Sequence, residues 1–274
     1  MIDIDLIKKA LAEDLAEGVD ITSAATISET SISIADFVSR KSGVLAGINM
    51  AKAVLQEVGL TDISLIKNDG ESIAAGEVLL TVRGDTRAIL LAERTALNFL
   101  GHLSGIASET AKWVAAVEGT KCLVRDTRKT TPGYRQLEKY AVRMGGGTNH
   151  RMSLSDAALI KDNHIVAAGS ASKALSAVRS AFPGSPIEIE VDTLDQLQEI
   201  LPLQPDLILL DNMSPALCFE AVSIINGKTK SEASGGITLE NAKAYADSGV
   251  DYIAIGALTH SAAVLDIGLD LRME

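Results

Sequence analysis

The chain has 274 residues, of which 47% are hydrophobic, 22% charged and 3% aromatic, and its formal net charge is −11 at pH 7. That length makes one large α/β domain, or a medium domain with a small companion, and the apolar fraction is enough to bury a proper core. The acidic balance argues against a nucleic-acid surface, and the few aromatics leave a core of Leu, Ile, Val and Ala, which suits parallel sheets covered by helices.

The first residues, MIDIDLIKKALAEDL, are acidic and amphipathic rather than basic and then apolar. No apolar run approaches the ~20 residues of a membrane span. The expectation is a soluble cytoplasmic protein with no membrane partner. Ile4 to Leu15 reads as a short helix, and Ile32, Ile34, Phe37 and Val38 as a strand before Arg40, with a turn and return at Gly43 to Gly47. Ala51 to Val58 is helical; Ile63 to Ile66 and Val78 to Val82 are strands joined through turn signals at Asp69-Gly70 and Ala75-Gly76. Thr86 to Leu100 has apolar residues at helical spacing, and a break at Ser104-Gly105 precedes a second helix over Ser108 to Val117. Arg94 lies off the apolar stripe and reads as exposed.

From about residue 120 the pattern becomes strand, short polar motif, helix. The strands expected are Cys122 to Arg125, Ala158 to Lys161, Ile187 to Val191, Leu207 to Leu210, Thr229 to Ala233 and Tyr252 to Ile255, and the later helices Leu194 to Leu201, Ala216 to Ile225 and Leu239 to Ser248. Charged or Gly-rich residues sit at each strand's carboxyl end. A barrel gathers such ends around one mouth, whereas an open doubly wound sheet scatters them, so an incomplete α/β barrel is expected. The tail alternates Leu265, Ile267, Leu269 and Leu271 with polar residues and reads as a strand returning to the first domain. The domains predicted are therefore a small α/β sandwich over 1–105 plus 264–274, and a barrel over 106–263.

Residues 121–161 hold nine bases against three acids, inside a chain of net charge −11. With no aromatics interleaved for base stacking, that reversal points to a pocket for an anionic small molecule. Over Tyr134 to Arg143 the charges lie at helical spacing and read as a solvated helix face. Arg128 and Lys129, after Asp126-Thr127, together with His150 and Arg151, offer the planar forks and point charges that a dicarboxylate or a pyrophosphate requires. Lys161, at a strand end, either neutralises an anion or acts as a Schiff-base amine. Glu190 and Asp211 are lone carboxylates that pair with these bases, bind sugar hydroxyls or hold Mg²⁺. Ser234-Gly235-Gly236 and Ile255-Gly256-Ala257 follow the last two strands, where barrels commonly bind phosphate, and His260 lies just beyond. His102 and His164 read as structural. Cys122 and Cys218 sit in apolar contexts without metal-type spacing and read as buried thiols.

The segments Glu93-Arg94-Thr95-Ala96-Leu97-Asn98, Asp126-Thr127-Arg128-Lys129-Thr130-Thr131-Pro132-Gly133, Asn149-His150-Arg151 and Lys161-Asp162-Asn163-His164 carry a resemblance to the quinolinate phosphoribosyltransferases. Leu210-Asp211-Asn212-Met213, Ala233-Ser234-Gly235-Gly236-Ile237 and Gly256-Ala257-Leu258-Thr259-His260 extend it through nearly the whole chain. The resemblance implies transfer of phosphoribosyl from phosphoribosyl pyrophosphate to quinolinate with decarboxylation, in NAD biosynthesis. It implies Thr127, Arg128, Lys129, His150, Arg151 and Lys161 around quinolinate and pyrophosphate, and Glu190 and Asp211 at the ribose and Mg²⁺. The loops at Ser234 to Gly236 and Ile255 to Ala257 would take the 5-phosphate, with Lys129 or Lys161 assisting decarboxylation. It also implies a homodimer, open to further assembly, in which Arg94 reaches the neighbour's site. Departures are local: Ala16 where Gly is usual, an extra residue around Gly18-Val19-Asp20, Met144 where Cys is frequent and Ser153 where Gly is common. None removes a charged site residue.

Overall fold

A computed structural model describes residues 2–273 of the chain. They divide into two compact units, one comprising residues up to Ala111 with Gln136–Gly146 and the tail from Ser261, the other Lys112–Arg135 and Gly147–His260.

The first unit opens with α1 (Ile4–Leu15), whose start is capped by Asp3 accepting from the Leu6 amide and whose Ile7 and Leu11, one turn apart, are buried. A helix that the sequence reading does not contain follows: α2 (Ile21–Thr26), capped by the Asp20 carboxylate on the amides of Thr22 and Ser23. At six residues it is too short to show a period. The strands β1 (Ile32–Ser39), β2 (Gly43–Val44), β3 (Asp62–Leu65), β4 (Ser72–Ile73) and β5 (Val78–Asp85), with α3 (Ile48–Glu57) between β2 and β3, precede the long α4 (Thr86–Ala116). The chain's last strand, Ile267–Met273 (β12), pairs antiparallel with β1, giving a four-stranded sheet in the order β12-β1-β5-β3. The period of two in the tail thus marks a strand of this sheet.

Two expectations fail here for identifiable reasons. The helix does not break at Ser104-Gly105; α4 runs through 31 residues. Those small residues serve close packing instead: Ser104 Oγ accepts from the Ala46 amide at 3.0 Å, and a Cβ on Gly105 would lie 2.1 Å from the Ala263 carbonyl oxygen. The second concerns α5 (Arg135–Met144), which is not a solvated charged face, since Glu138 and Lys139 are fully buried. Glu138 meets His102 Nε2 at 3.0 Å, and the Tyr140 hydroxyl donates to Asp69 at 2.7 Å. Helical spacing of charges looks the same whether the stripe faces water or buried partners. Residues 136–146 accordingly fall in the first compact unit.

The second unit supplies six parallel strands, β6 (Leu123–Arg125), β7 (Ala158–Ile160), β8 (Ile187–Val191), β9 (Leu207–Asp211), β10 (Lys230–Ser234) and β11 (Tyr252–Ala254). Around them lie α6 (Asp162–Ala168), α7 (Ala171–Ala181), α8 (Leu194–Ile200), α9 (Pro215–Ile225), α10 (Leu239–Asp247) and the one-turn α11 (Ala257–His260). Their order in the sheet is β6-β11-β10-β9-β8-β7. The first strand lies beside the last and no order reverses, as in a ring cut between β6 and β7 rather than a doubly wound sheet.

One face of each strand is apolar and covered: Ile189, Ile208, Leu210, Ala233 and Ile253 are fully buried, each stabilising by about 1–3 kcal/mol. The alternate residues, Glu188 and Glu190, Leu209 and Asp211, Glu232 and Ser234, point the other way. Both cysteines are buried, and burial pushes the thiols up to about 12 for Cys122 and about 11 for Cys218. No helix among the described residues is long and apolar enough to cross a membrane.

Candidate active site

A cavity of about 640 Å³ lies at the carboxyl ends of the parallel strands, lined by residues that follow or end all six of them, from Thr127 after β6 to Gly256 after β11. Six strands laid flat would spread their ends over roughly 24 Å. A single cavity reached by all of them requires the sheet to curl.

Arg128 and Arg151 form its cationic wall. Burial, and then the charge of Arg128, lower the Arg151 guanidinium from its ordinary value. Arg128 Nε is buried without a hydrogen-bond partner among the described residues. Two half-buried guanidiniums on one cavity can offer planar forks to carboxylates. Fully buried Asp126 builds this wall: it accepts from the His150 amide at 2.8 Å and from the Asn149 side chain, tying the segment after β6 to the segment before β7. Thr148 completes the tie by donating from its amide to the Val124 carbonyl at 2.8 Å. Arg151 is steadied through Nη1, which donates to the Ala157 carbonyl at 2.8 Å.

Also on the cavity, Lys161 Nζ donates to Glu190 at 2.7 Å. A lysine so paired can serve as one end of an anion site. The backbone amide of Lys161 donates to His164 Nδ1 at 3.0 Å, so His164 belongs to the start of α6. Asp211 is raised above the usual carboxylate range, first by burial and then by Asp192, and accepts from the Asn212 side-chain amide at 2.7 Å.

The glycine loops after β10 and β11 also line the cavity. Gly235 has φ +88°, and a Cβ there would sit 2.1 Å from Asn212 Oδ1. Gly256 leaves room for Lys129, whose Cδ would lie 2.9 Å from an added Cβ, with His260 Nε2 at 3.2 Å. Lys129 is held by its own backbone: its amide donates to Thr127 Oγ1 at 3.0 Å and its carbonyl accepts from Thr259 Oγ1 at 2.7 Å. Of the predicted site residues, Thr127, Arg128, Lys129, His150, Arg151, Lys161, Glu190, Asp211, Ser234, Gly235, Gly236, Ile255, Gly256, Ala257 and His260 all line this one cavity. Arg94 is exposed on α4 and does not line it.

Glu232, which also lines the cavity, belongs with Glu188 and Arg125 to a group that sequence reasoning missed. His150 Nε2 is 2.8 Å from Glu188 and 3.6 Å from Glu232, and Arg125 Nη1 donates to Glu232 at 2.7 Å while its guanidinium lies 4.2 Å from the centre of the Tyr252 ring. Burial, and next the charge of Glu188, push the Glu232 acid up to about 7. The signal available was the period of two: Glu188 precedes Glu190, Glu232 precedes Ser234 and Arg125 precedes Thr127 on the same face of each strand. His150, expected to meet the anion directly, instead has both ring nitrogens engaged by protein groups, Nε2 as above and Nδ1 by the Arg151 amide at 2.8 Å.

The family model for the N-terminal domain of quinolinate phosphoribosyl transferase matches residues 20–104, and that for its C-terminal domain matches 106–270. The chain is 50% identical to the nicotinate-nucleotide pyrophosphorylase (carboxylating) of Mycobacterium leprae over 273 residues, covering 97% of this chain and 96% of that one. It is 38% identical to a mitochondrial quinolinate phosphoribosyltransferase (decarboxylating) of Nicotiana tabacum, over 98% of this chain and 82% of that one. The crystal structure of NadC from Streptococcus pyogenes superposes with a TM-score of 0.94 at 39% identity, over 98% of this chain and 96% of that one.

Proposed function

The chain belongs to the quinolinate phosphoribosyltransferase family, phosphoribosyl-transferring enzymes of NAD biosynthesis, and from that premise we propose how its own residues divide the work. Quinolinate lies with its two carboxylates on Arg128, Arg151 and Lys161, beside Thr127. Phosphoribosyl pyrophosphate places its 5-phosphate in the loops at Ser234–Gly236 and Ile255–Ala257. Lys129 and His260, beside Gly256, face the phosphates, and Glu190 and Asp211 take the ribose hydroxyls. The observation that supports this reading is the gathering of Arg128, Arg151 and Lys161 on one cavity, with Arg128 Nε buried and without a hydrogen-bond partner among the described residues.

The ring nitrogen of quinolinate forms the bond to C1 of the ribose as the C1–oxygen bond breaks, and that electron pair leaves with pyrophosphate. The bond from C2 to its carboxylate then breaks. CO2 departs, and the pair stays on C2 beside the now cationic nitrogen until a proton arrives. Lys161, held by Glu190 at 2.7 Å, is the ammonium we assign to this carbanion, while Lys129 serves the phosphates. Positioning and charge neutralisation supply most of the acceleration.

Asp211 would be the residue that holds Mg²⁺ beside the diphosphate. The residues fit it modestly: Asp211, with Asp192 raising its acid, has negative charge to share, while Glu190 is already committed to Lys161. Among the described residues the one cluster of three ligating groups, His150, Glu188 and Glu232, is internally paired. When bound, the ion neutralises charge on the leaving pyrophosphate.

Further parts of the reading are a homodimer in which exposed Arg94 completes the neighbour's dianion site, and a cytoplasmic location. The test is calorimetric titration of quinolinate into the native protein and Arg128→Ala. Removing one charge-assisted fork costs about 1.5–3 kcal/mol, so affinity falls roughly 10- to 150-fold with the fold intact; unchanged affinity overturns the reading.

A further inference from the structure

We infer that Glu188 and Glu232 are positioning residues for the dianion site, acting through His150 as a neutral strut that fixes the backbone of Arg151. This rests on the proposed place of Arg151 at a substrate carboxylate.

The argument starts from hydrogen-bond direction. The Arg151 amide can only donate, and its partner, 2.8 Å away, is His150 Nδ1. Nδ1 therefore presents a lone pair and carries no proton while that bond stands. The ring's one N–H is then on Nε2, where Glu188 lies at 2.8 Å and Glu232 at 3.6 Å. A histidine so arranged brings no positive charge to a substrate; it transmits position, as carboxylate–histidine pairs do elsewhere when one nitrogen's partner sets the tautomer. Both ends of the strut are anchored. His150 is buried and its own amide is held by Asp126 at 2.8 Å. Glu188 on β8 and Glu232 on β10 are both buried, and Glu232 is braced by Arg125 at 2.7 Å. Glu188 Oε1 and Glu232 Oε1, the latter the oxygen 3.6 Å from His150 Nε2, are buried with no hydrogen-bond partner among the described residues. An apolar filling would be cheaper there than two buried carboxylates, so their presence calls for a purpose beyond packing. Aiming a guanidinium needs that precision, because a misplacement of about 1 Å can cost about 10²-fold in rate.

The test has two arms. In the full-length protein with ¹⁵N-labelled histidine, the His150 resonances, assigned by their loss in His150→Gln, should show a pyridine-type Nδ1 and a protonated Nε2 across the pH range of activity. An imidazolium pattern there overturns the proposal. In the second arm Glu188→Leu should raise the KM for quinolinate tenfold or more while leaving the KM for phosphoribosyl pyrophosphate within about twofold. Glu188→Gln, whose amide oxygen still accepts from Nε2, should restore the quinolinate KM to within about threefold of the native value. A merely structural role predicts that both KM values stay native while thermal stability or the active fraction drops, and that outcome also overturns it. Should Glu188→Leu fail to fold, the resonance arm decides alone. If quinolinate proves not to be the ligand, the substrate reading fails while the His150 tautomer remains testable.

Discussion

Lys161 Nζ and Glu190 Oε2 lie 2.7 Å apart at the ends of neighbouring strands β7 and β8. Lys161 is about half exposed there and Glu190 mostly buried, so the pair in isolation adds little stability. Its value lies in aim. Lys161→Ala is expected to lower kcat/KM by about 10²- to 10³-fold. Glu190→Ala should cost less, and the double variant should lose less than the two single losses combined, because the residues act as one unit. Steady-state rates of the four proteins give the coupling; strict additivity would separate their roles.

The Glu232 acid, raised by burial and by Glu188 from 4.5 to about 7, has a consequence for stability. Between those values the folded state holds a proton that the unfolded state has released, so stability is greatest below about pH 4.5 on this account and declines as pH rises toward 7. Glu232→Gln should flatten this part of the stability–pH curve, measured by urea unfolding at several pH values. An unchanged slope would place the proton elsewhere.

Gly235→Ala must displace Asn212, since the added carbon would meet its side-chain oxygen at 2.1 Å in a φ +88° conformation. The KM for phosphoribosyl pyrophosphate should rise about tenfold or more, at a cost of about 1–3 kcal/mol in stability, with quinolinate affinity unchanged. Calorimetry with each substrate separately reads both. Gly236, where a Cβ would meet nothing within 4 Å, tests how far backbone freedom alone matters.

Much of this site is legible in the sequence because polar residues at Asp126–Lys129, Lys161 and Asp211 interrupt apolar strands where a strand ends, and a ring of parallel strands gathers those ends. Glu188 and Glu232 escaped notice because Ile187, Ile189 and Ala233 make their strands read as uniformly buried, although the two-residue period already put Glu188 on the face of Glu190. Ser104-Gly105 carried the opposite error, since small residues look alike whether they break a helix or admit a neighbouring backbone. Arg94 illustrates a third kind. Its helical spacing yields exposure, which the structure bears out, but a role in a second subunit cannot be derived from periodicity; only the family resemblance raised it.

The measurement that bears most directly on the central claim is release of CO2 from carboxyl-labelled quinolinate. The account predicts release that requires both phosphoribosyl pyrophosphate and Mg²⁺, proceeds with stoichiometric pyrophosphate, and falls by orders of magnitude in Arg128→Ala and Lys161→Ala. Folded protein that binds phosphoribosyl pyrophosphate yet releases no CO2 under these conditions would contradict it, and would assign the cavity to another acceptor.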